Sequence, residues 1–410
     1  MPALPGRFGG PIDLLVRANR VVSPDLGMDG PGAVAIRGGR IVAAGPGVDG
    51  ESAAGSAAGR VADHRAPEPA APARIVDLGD VVLLPGLVDL HGHPDRRAGG
   101  SKYGVDPDLE FLPRGVTTVL SQGDAGAGDW SAWARETARP SRTRLLMALN
   151  LSIRGEAIAG PALEDEADVD VAACARVAKA NPDAIWGIAV NTSRPVTGRN
   201  DPRRVLDQAI EAADRGGGLP LLFGSRRETD VSLDDQLARL RPGDVVTYCY
   251  SGTPENILDD RTGRVRGSVR AARDRGILFD IGHGMASLDF RIAEATIADG
   301  FPPDTISTDQ YRRHVGSNPQ HDLSRTISKL IAAGMPELEA FGAATWRPAG
   351  VLGLATEIGT LMPGSAADLC ALRWNPDAAP LVDTEGASRP GGCWEAAFVV
   401  RGGVVVFEGP

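Results

Sequence analysis

The sequence predicts an α/β fold: a closed parallel (β/α)8 barrel with a small β domain built from both termini of the 410-residue chain. Three observations predict it. Between about 76 and 357, eight short apolar runs alternate with helix-like stretches. Those runs are near-continuously apolar, as strands buried on both faces must be, and each is followed by polar residues. Gly- and Pro-broken β-branched runs flank this region at either end, which suits one small β domain shared by the two termini.

Taken in order, residues 13–45 read as a β-meander. Residues 46–74, rich in Ala, Gly, Pro and charge, read as a mobile loop. The eight barrel runs are VVLLPGLVDLHGH (81–93), GVTTVLSQGD (115–124), RLLMALNLS (144–152), AIWGIAVNTS (184–193), LPLLFGS (219–225), DVVTYCYSG (244–252), ILFDIGHG (277–284) and DTISTDQ (304–310). The meander texture returns in IGTLMPGSAADLCAL (358–372) and AAFVVRGGVVVFEG (396–409). The expected division is therefore 1–75 and 358–410 for the β-sandwich and 76–357 for the barrel. No repeat of 20–50 residues is visible.

Bulk properties exclude several classes. No apolar run reaches 18 residues, and MPALPGRFGGPIDLL lacks a basic segment followed by a hydrophobic one, so neither a membrane span nor a signal peptide is expected. A net charge of −10 argues against nucleic acid as a partner. Cys174, Cys249, Cys370 and Cys393 lack paired spacing, which suits reduced thiols and a cytoplasmic protein. The expected partner is a small-molecule substrate; a homo-oligomer is compatible with the sequence.

The first run ends in His91 and His93. Side chains at i and i+2 of a strand share a face, so both imidazoles point into the barrel mouth. Two neutral imidazoles suit zinc or another borderline divalent ion, iron or manganese being the alternatives; otherwise they are a hydrogen-bonded core pair. Asp309 ends the eighth run, as a ligand or as a helix N-cap. Arginines follow strands three, four and five: Arg154, Arg194, and the pair Arg226 and Arg227. At the rim they would favour an anionic substrate, unless they are solvated loop charge. Tyr311, Arg312, Arg313 and His314 follow Asp309 and are placed to close over the site. GDAGAGDW (123–130) reads as a plain active-site loop.

PGLVDLHGH (85–93) and GTLMPGSAADL (359–369) resemble the amidohydrolase superfamily of metal-dependent hydrolases. LRPGDVVTYCYSG, RGILFDIGHG, PDTISTDQ and DLSRTISKLIAAGM resemble its deacetylase-like, dihydroorotase-like branch. The resemblance spans nearly the whole chain. It implies the barrel and sandwich, metal at the C-terminal mouth, and attack of water on the C–N bond of an amide or cyclic amide. It also implies that Asp309 binds metal and handles a proton, that His283 contacts substrate or transfers a proton, and that Arg194 matches a family arginine. By residue chemistry alone, the alternative for His283 is a histidine bonded to a backbone carbonyl.

The chain departs from the family at three ligands. Ala189 stands where a carboxylated lysine is expected, Gly224 and Tyr248 where strand-five and strand-six histidines are, and Ser251 where a nearby histidine is. The three lysines, Lys102, Lys179 and Lys329, are expected far from any other strand end, and His64 and His321 in unpromising loops. No carboxylated lysine and no binuclear site are therefore expected. What remains is one divalent ion on His91, His93 and Asp309, with catalysis by Asp309, His283 and Tyr248 and substrate binding by Arg194, Arg226, Arg154 and Tyr311. Tyr248 either offers a phenol or fills volume, and strand alternation turns Cys249 away from the lumen. The expected activity is hydrolysis of a C–N bond by a mononuclear enzyme. The alternatives are a non-hydrolytic cyclase, lyase, isomerase or Fe/O₂-dependent enzyme of specialised biosynthesis, and a non-catalytic ligand-binding relative.

Overall fold

A computed structural model describes residues 12–49 and 74–409. His64 and most of the segment read as a mobile loop lie outside the described residues.

Five strands open the chain: β1 (Leu14–Ser23), β2 (Met28–Arg37), β3 (Arg40–Gly45), β4 (Arg74–Asp77) and β5 (Val82–Pro85). Seven follow in the barrel: β6 (Leu87–Gly92), β7 (Val116–Gly126), β8 (Arg144–Asn150), β9 (Ile185–Asn191), β10 (Leu221–Gly224), β11 (Val245–Thr247) and β12 (Leu278–Phe279). The last five are β13 (Leu369–Asn375), the short pair β14 (Leu381–Val382) and β15 (Ser388–Arg389), β16 (Cys393–Arg401) and β17 (Val404–Glu408).

The strands from both termini form one sheet in the order β17-β16-β13-β5-β1-β2-β3, with β4 beside β1. Period-two alternation gives it two apolar faces. Leu14, Val16, Val34, Ile36, Leu83, Leu369 and Phe398 fill a core enclosed by that sheet. Val22, Val82, Leu84, Cys370 and Leu372 instead join the large cluster around the barrel.

Strands β6 to β12 pair in chain order, each neighbouring pair parallel. The eighth run is not a regular strand, yet it closes the barrel. On one side Ile281 N–H donates to Thr305 O (3.3 Å) and His283 N–H to Ser307 O (3.2 Å). On the other, Asp309 N–H donates to His91 O (2.7 Å) and His93 N–H to Gln310 O (3.0 Å). Every strand residue from Leu87 to Gly92 is buried, as two-sided packing requires.

The first apolar run is two strands rather than one. Val82–Pro85 belongs to the terminal sheet and Leu87–Gly92 to the barrel, so the domain boundary falls after 85, not at 75. Pro85 and Gly86 make the switch. Gly86 N–H donates to Asp368 O (2.7 Å), and a Cβ there would fall on Thr117 Oγ1 and within 2.7 Å of its methyl carbon. Gly86→Ala is therefore expected to cost about 1–3 kcal/mol through overpacking, read as a lower urea midpoint with an unchanged denaturant slope. Among the described residues no helix is long and apolar enough to cross a membrane.

Candidate metal centre

His91, His93 and Asp309 converge at the mouth of the barrel, where the C-terminal ends of its strands lie. One donor atom from each lies within 4.8 Å of the others, and all three residues are buried. Hydrogen bonding assigns the tautomers. Thr247 Oγ1 donates to Asp280 Oδ2 (2.9 Å), so it accepts from His91 Nδ1–H (2.8 Å). His93 Nδ1–H donates to Asp124 Oδ1 (2.9 Å), and Asp124 Oδ2 accepts from Ser121 Oγ (2.6 Å). Both Nε2 atoms therefore face Asp309 Oδ1, at 3.5 Å from His91 and 3.2 Å from His93. Ligand imidazoles in metal sites are held in this way, with the outer nitrogen bonded to a carboxylate or hydroxyl.

The electrostatics favour positive charge between these groups. Burial, partly opposed by the Asp309 charge, lowers His91 to about 4 and keeps its lone pair available. Burial acts the same way on His93, but the Asp124 and Asp309 carboxylates outweigh it and push the ring up to about 10. Burial raises the carboxyl of Asp280, which anchors Thr247, to about 6. A cation taking the place of the His93 Nε2 proton leaves two neutral imidazole donors and a carboxylate, an appropriate set for a borderline divalent ion, and the residues present fit one.

Two of the site's residues sit in left-handed backbone, Tyr248 at φ 67° and Asp309 at φ 48°. Such strain in non-glycine residues concentrates at functional sites. It turns the Tyr248 ring inward, where its hydroxyl lies 3.3 Å from His91 Nε2 and its ring centroid 5.0 Å from that of His91. Cys249 packs into the large apolar core instead. Tyr311 stands edge-on to His93 (6.1 Å) and to Tyr103 (5.5 Å), and Tyr103 lies 5.2 Å from His93.

Several sequence expectations need correction. His283 shows the second of its two expected readings, a bond to a backbone carbonyl: Nδ1 donates to Gly284 O (2.7 Å), and Nε2 accepts from Lys329 Nζ (2.7 Å). Burial and the neighbouring ammonium hold that ring well below its ordinary pKa. Lys329 thus does reach a strand end, contrary to expectation; burial lowers it to about 8, and it bonds His283 rather than the trio. His321 does lie in a loop, just before the helix Leu323–Ala332, but its side chain is held. It is half-buried, its Nε2–H donating to Thr308 O (2.9 Å) and its ring 4.8 Å from that of His283.

Three of the named arginines are spent on carboxylates. Arg154 pairs with Asp168 (2.9 Å) and Arg194 with Asp230 (3.2 Å), both arginines largely exposed. Arg226 is buried against Asp230 (2.6 Å) and Glu228 (3.1 Å), with Nη1 on Thr192 O (3.2 Å).

Sequence reasoning missed Asp124, the Thr247–Asp280 relay and Tyr103. Asp124 had a signal, a lone carboxylate at the end of a wholly buried strand, but nothing in the spacing tied it to His93. Asp124→Asn is expected to weaken metal affinity about 10- to 100-fold, the usual effect of losing an outer partner, with the fold intact; competition with a chelator checks it.

A closed parallel barrel with this donor set at its C-terminal mouth defines a class, the barrel metal-dependent hydrolases. The comparisons agree. A deacetylase from Enterococcus faecalis is 31% identical over 306 residues, 74% of this chain and 80% of its own length. A deacetylase from Brucella anthropi is 34% identical over 304 residues, 73% of each chain. Among solved structures, one described as an adenine deaminase superposes with TM-score 0.81 at 26% identity, covering 96% of this chain and 99% of its own. Another, a dihydroorotase, gives TM-score 0.80 at 28% identity, with 97% and 99% covered. No family model matches the chain. The chain belongs to the amidohydrolase superfamily, and its class is that of metal-dependent hydrolases acting on C–N bonds.

Proposed function

We propose that this protein hydrolyses the C–N bond of a small amide or cyclic amide with one divalent cation, zinc before iron or manganese, held by His91, His93 and Asp309. The supporting observation is the donor geometry: two Nε2 atoms and one carboxylate oxygen aimed at a common point, each imidazole locked by an outer hydrogen bond. Among the described residues this is the one such group. A bound cation of this kind supplies Lewis acidity toward a carbonyl oxygen and makes water more acidic.

The chain's own groups do the rest. Asp309 accepts the proton of the attacking water and returns it to the departing nitrogen, a two-way role that suits a carboxylate at the centre of the site. The Tyr248 hydroxyl, held at the site by its unusual backbone, donates to the carbonyl oxygen as charge develops there. Tyr103 and Tyr311 wall the mouth and restrict water beyond the one that reacts.

The test is isotopic. Zinc-loaded protein is incubated in H₂¹⁸O with a panel of N-acyl amino acids and cyclic amides. Hydrolysis places one ¹⁸O in the product carboxylate. A product formed without ¹⁸O contradicts this reading and points to cyclase, lyase or isomerase chemistry on the same scaffold.

A further inference from the structure

We propose that Arg227 is a specificity-determining residue that binds a carboxylate on the substrate; the inference rests on the barrel mouth being the reaction site. Its neighbour Arg226 and the rim arginines Arg154 and Arg194 are neutralised by aspartates. Arg227 makes no ion pair among the described residues. Its guanidinium lies over the Tyr248 ring, 4.5 Å from the centroid, and the hydroxyl of that ring reaches His91 Nε2. The positive charge is therefore one aromatic ring away from the proposed metal ligands.

The bonding of the guanidinium is one-sided. Nη1 donates to Ser287 Oγ (3.2 Å) and Ala286 O (3.4 Å), which fixes the group from the β12 side. Nε is buried with no acceptor, and Nη1 is the one guanidinium nitrogen that bonds to the described residues. Nε and Nη2 form one edge of the planar fork, the edge that takes a carboxylate through two parallel hydrogen bonds. The Tyr248 ring beneath it and the bonds from Nη1 hold the guanidinium, so little side-chain freedom is lost when that edge is used. A substrate carboxylate drawn against it satisfies the orphaned donor and neutralises the charge. The scissile bond then lies toward His91, with Tyr103 and Tyr311 across the mouth to cover an apolar or aromatic acyl group.

Hippurate and its primary amide, equal in shape and differing in charge, test this by calorimetric titration of the zinc-loaded protein. The wild type is expected to bind hippurate about tenfold or more tighter than the amide. Arg227→Met should bring the two affinities together, and Arg227→Lys should restore part of the preference by charge without the fork. A preference that survives undiminished in R227M overturns the proposal, because the carboxylate is then held elsewhere, on the cation for instance. Equal binding of both compounds by the wild type, or binding of neither, overturns it as well. Because the readout is affinity, Arg227-dependent binding without ¹⁸O incorporation would sink the hydrolytic reading and leave this one standing.

Discussion

Replacing Asp309 with asparagine is expected to lower kcat by about 10²- to 10⁴-fold, the range for losing a positioned proton-transfer group. The substitution is chosen for its backbone. Asp309 sits at φ 48°, a left-handed conformation that asparagine adopts as readily as aspartate. Its N–H bond to His91 O (2.7 Å) is also independent of the side chain. The D309N variant should therefore keep the closure between the eighth run and β6, and an unchanged unfolding midpoint checks that it does. A fall in kcat with preserved stability separates the chemical role of the carboxylate from a structural one. Full turnover in D309N would remove Asp309 from the mechanism.

The second large effect is expected at the histidines. His91→Ala and His93→Ala each delete one of two imidazole donors, so each should cost more metal affinity than the ~10–100-fold typical of an outer partner. The two substitutions should not add in activity. Once either donor is gone the remaining pair cannot hold the cation, and the double variant should be about as inactive as each single one. His93→Ala should also cost stability, because it strands the wholly buried Asp124 carboxylate beside Ser121. His91→Ala leaves the Thr247–Asp280 bond in place and should cost less. Chelator competition, initial rates and urea unfolding read the three effects separately.

Much of this architecture was legible because strand burial leaves a simple trace. Continuous apolar runs marked the barrel, and the i, i+2 rule placed His91 and His93 on one face from their spacing alone. Asp309 was legible from its position at the last strand end and from family resemblance. The split of the first run at Gly86 was not, since Pro85 and Gly86 read as a lead-in to one strand; only the Asp368 carbonyl and Thr117 packed against Gly86 show two sheets meeting there.

The rim arginines were the least legible part. Sequence shows where a guanidinium starts but not which carboxylate it finds. Asp230 stands four residues beyond Arg226, a spacing that hinted at the observed pair. Asp168 is fourteen residues from Arg154 and reaches it only through the fold of the loop after β8. Arg227, one residue from Arg226, comes away without a carboxylate partner because it lies over Tyr248. The side-chain partner of His283 was illegible for a similar reason. Its partner Lys329 is 46 residues away on the helix Leu323–Ala332, and no local pattern links them.

The central claim is tested most directly by elemental analysis of purified protein, alongside His91→Ala and His93→Ala, each paired with its own rate. One divalent ion per wild-type chain, lost together with turnover in both variants, is the predicted result. Two ions per chain, or full turnover by protein stripped of metal, would contradict it.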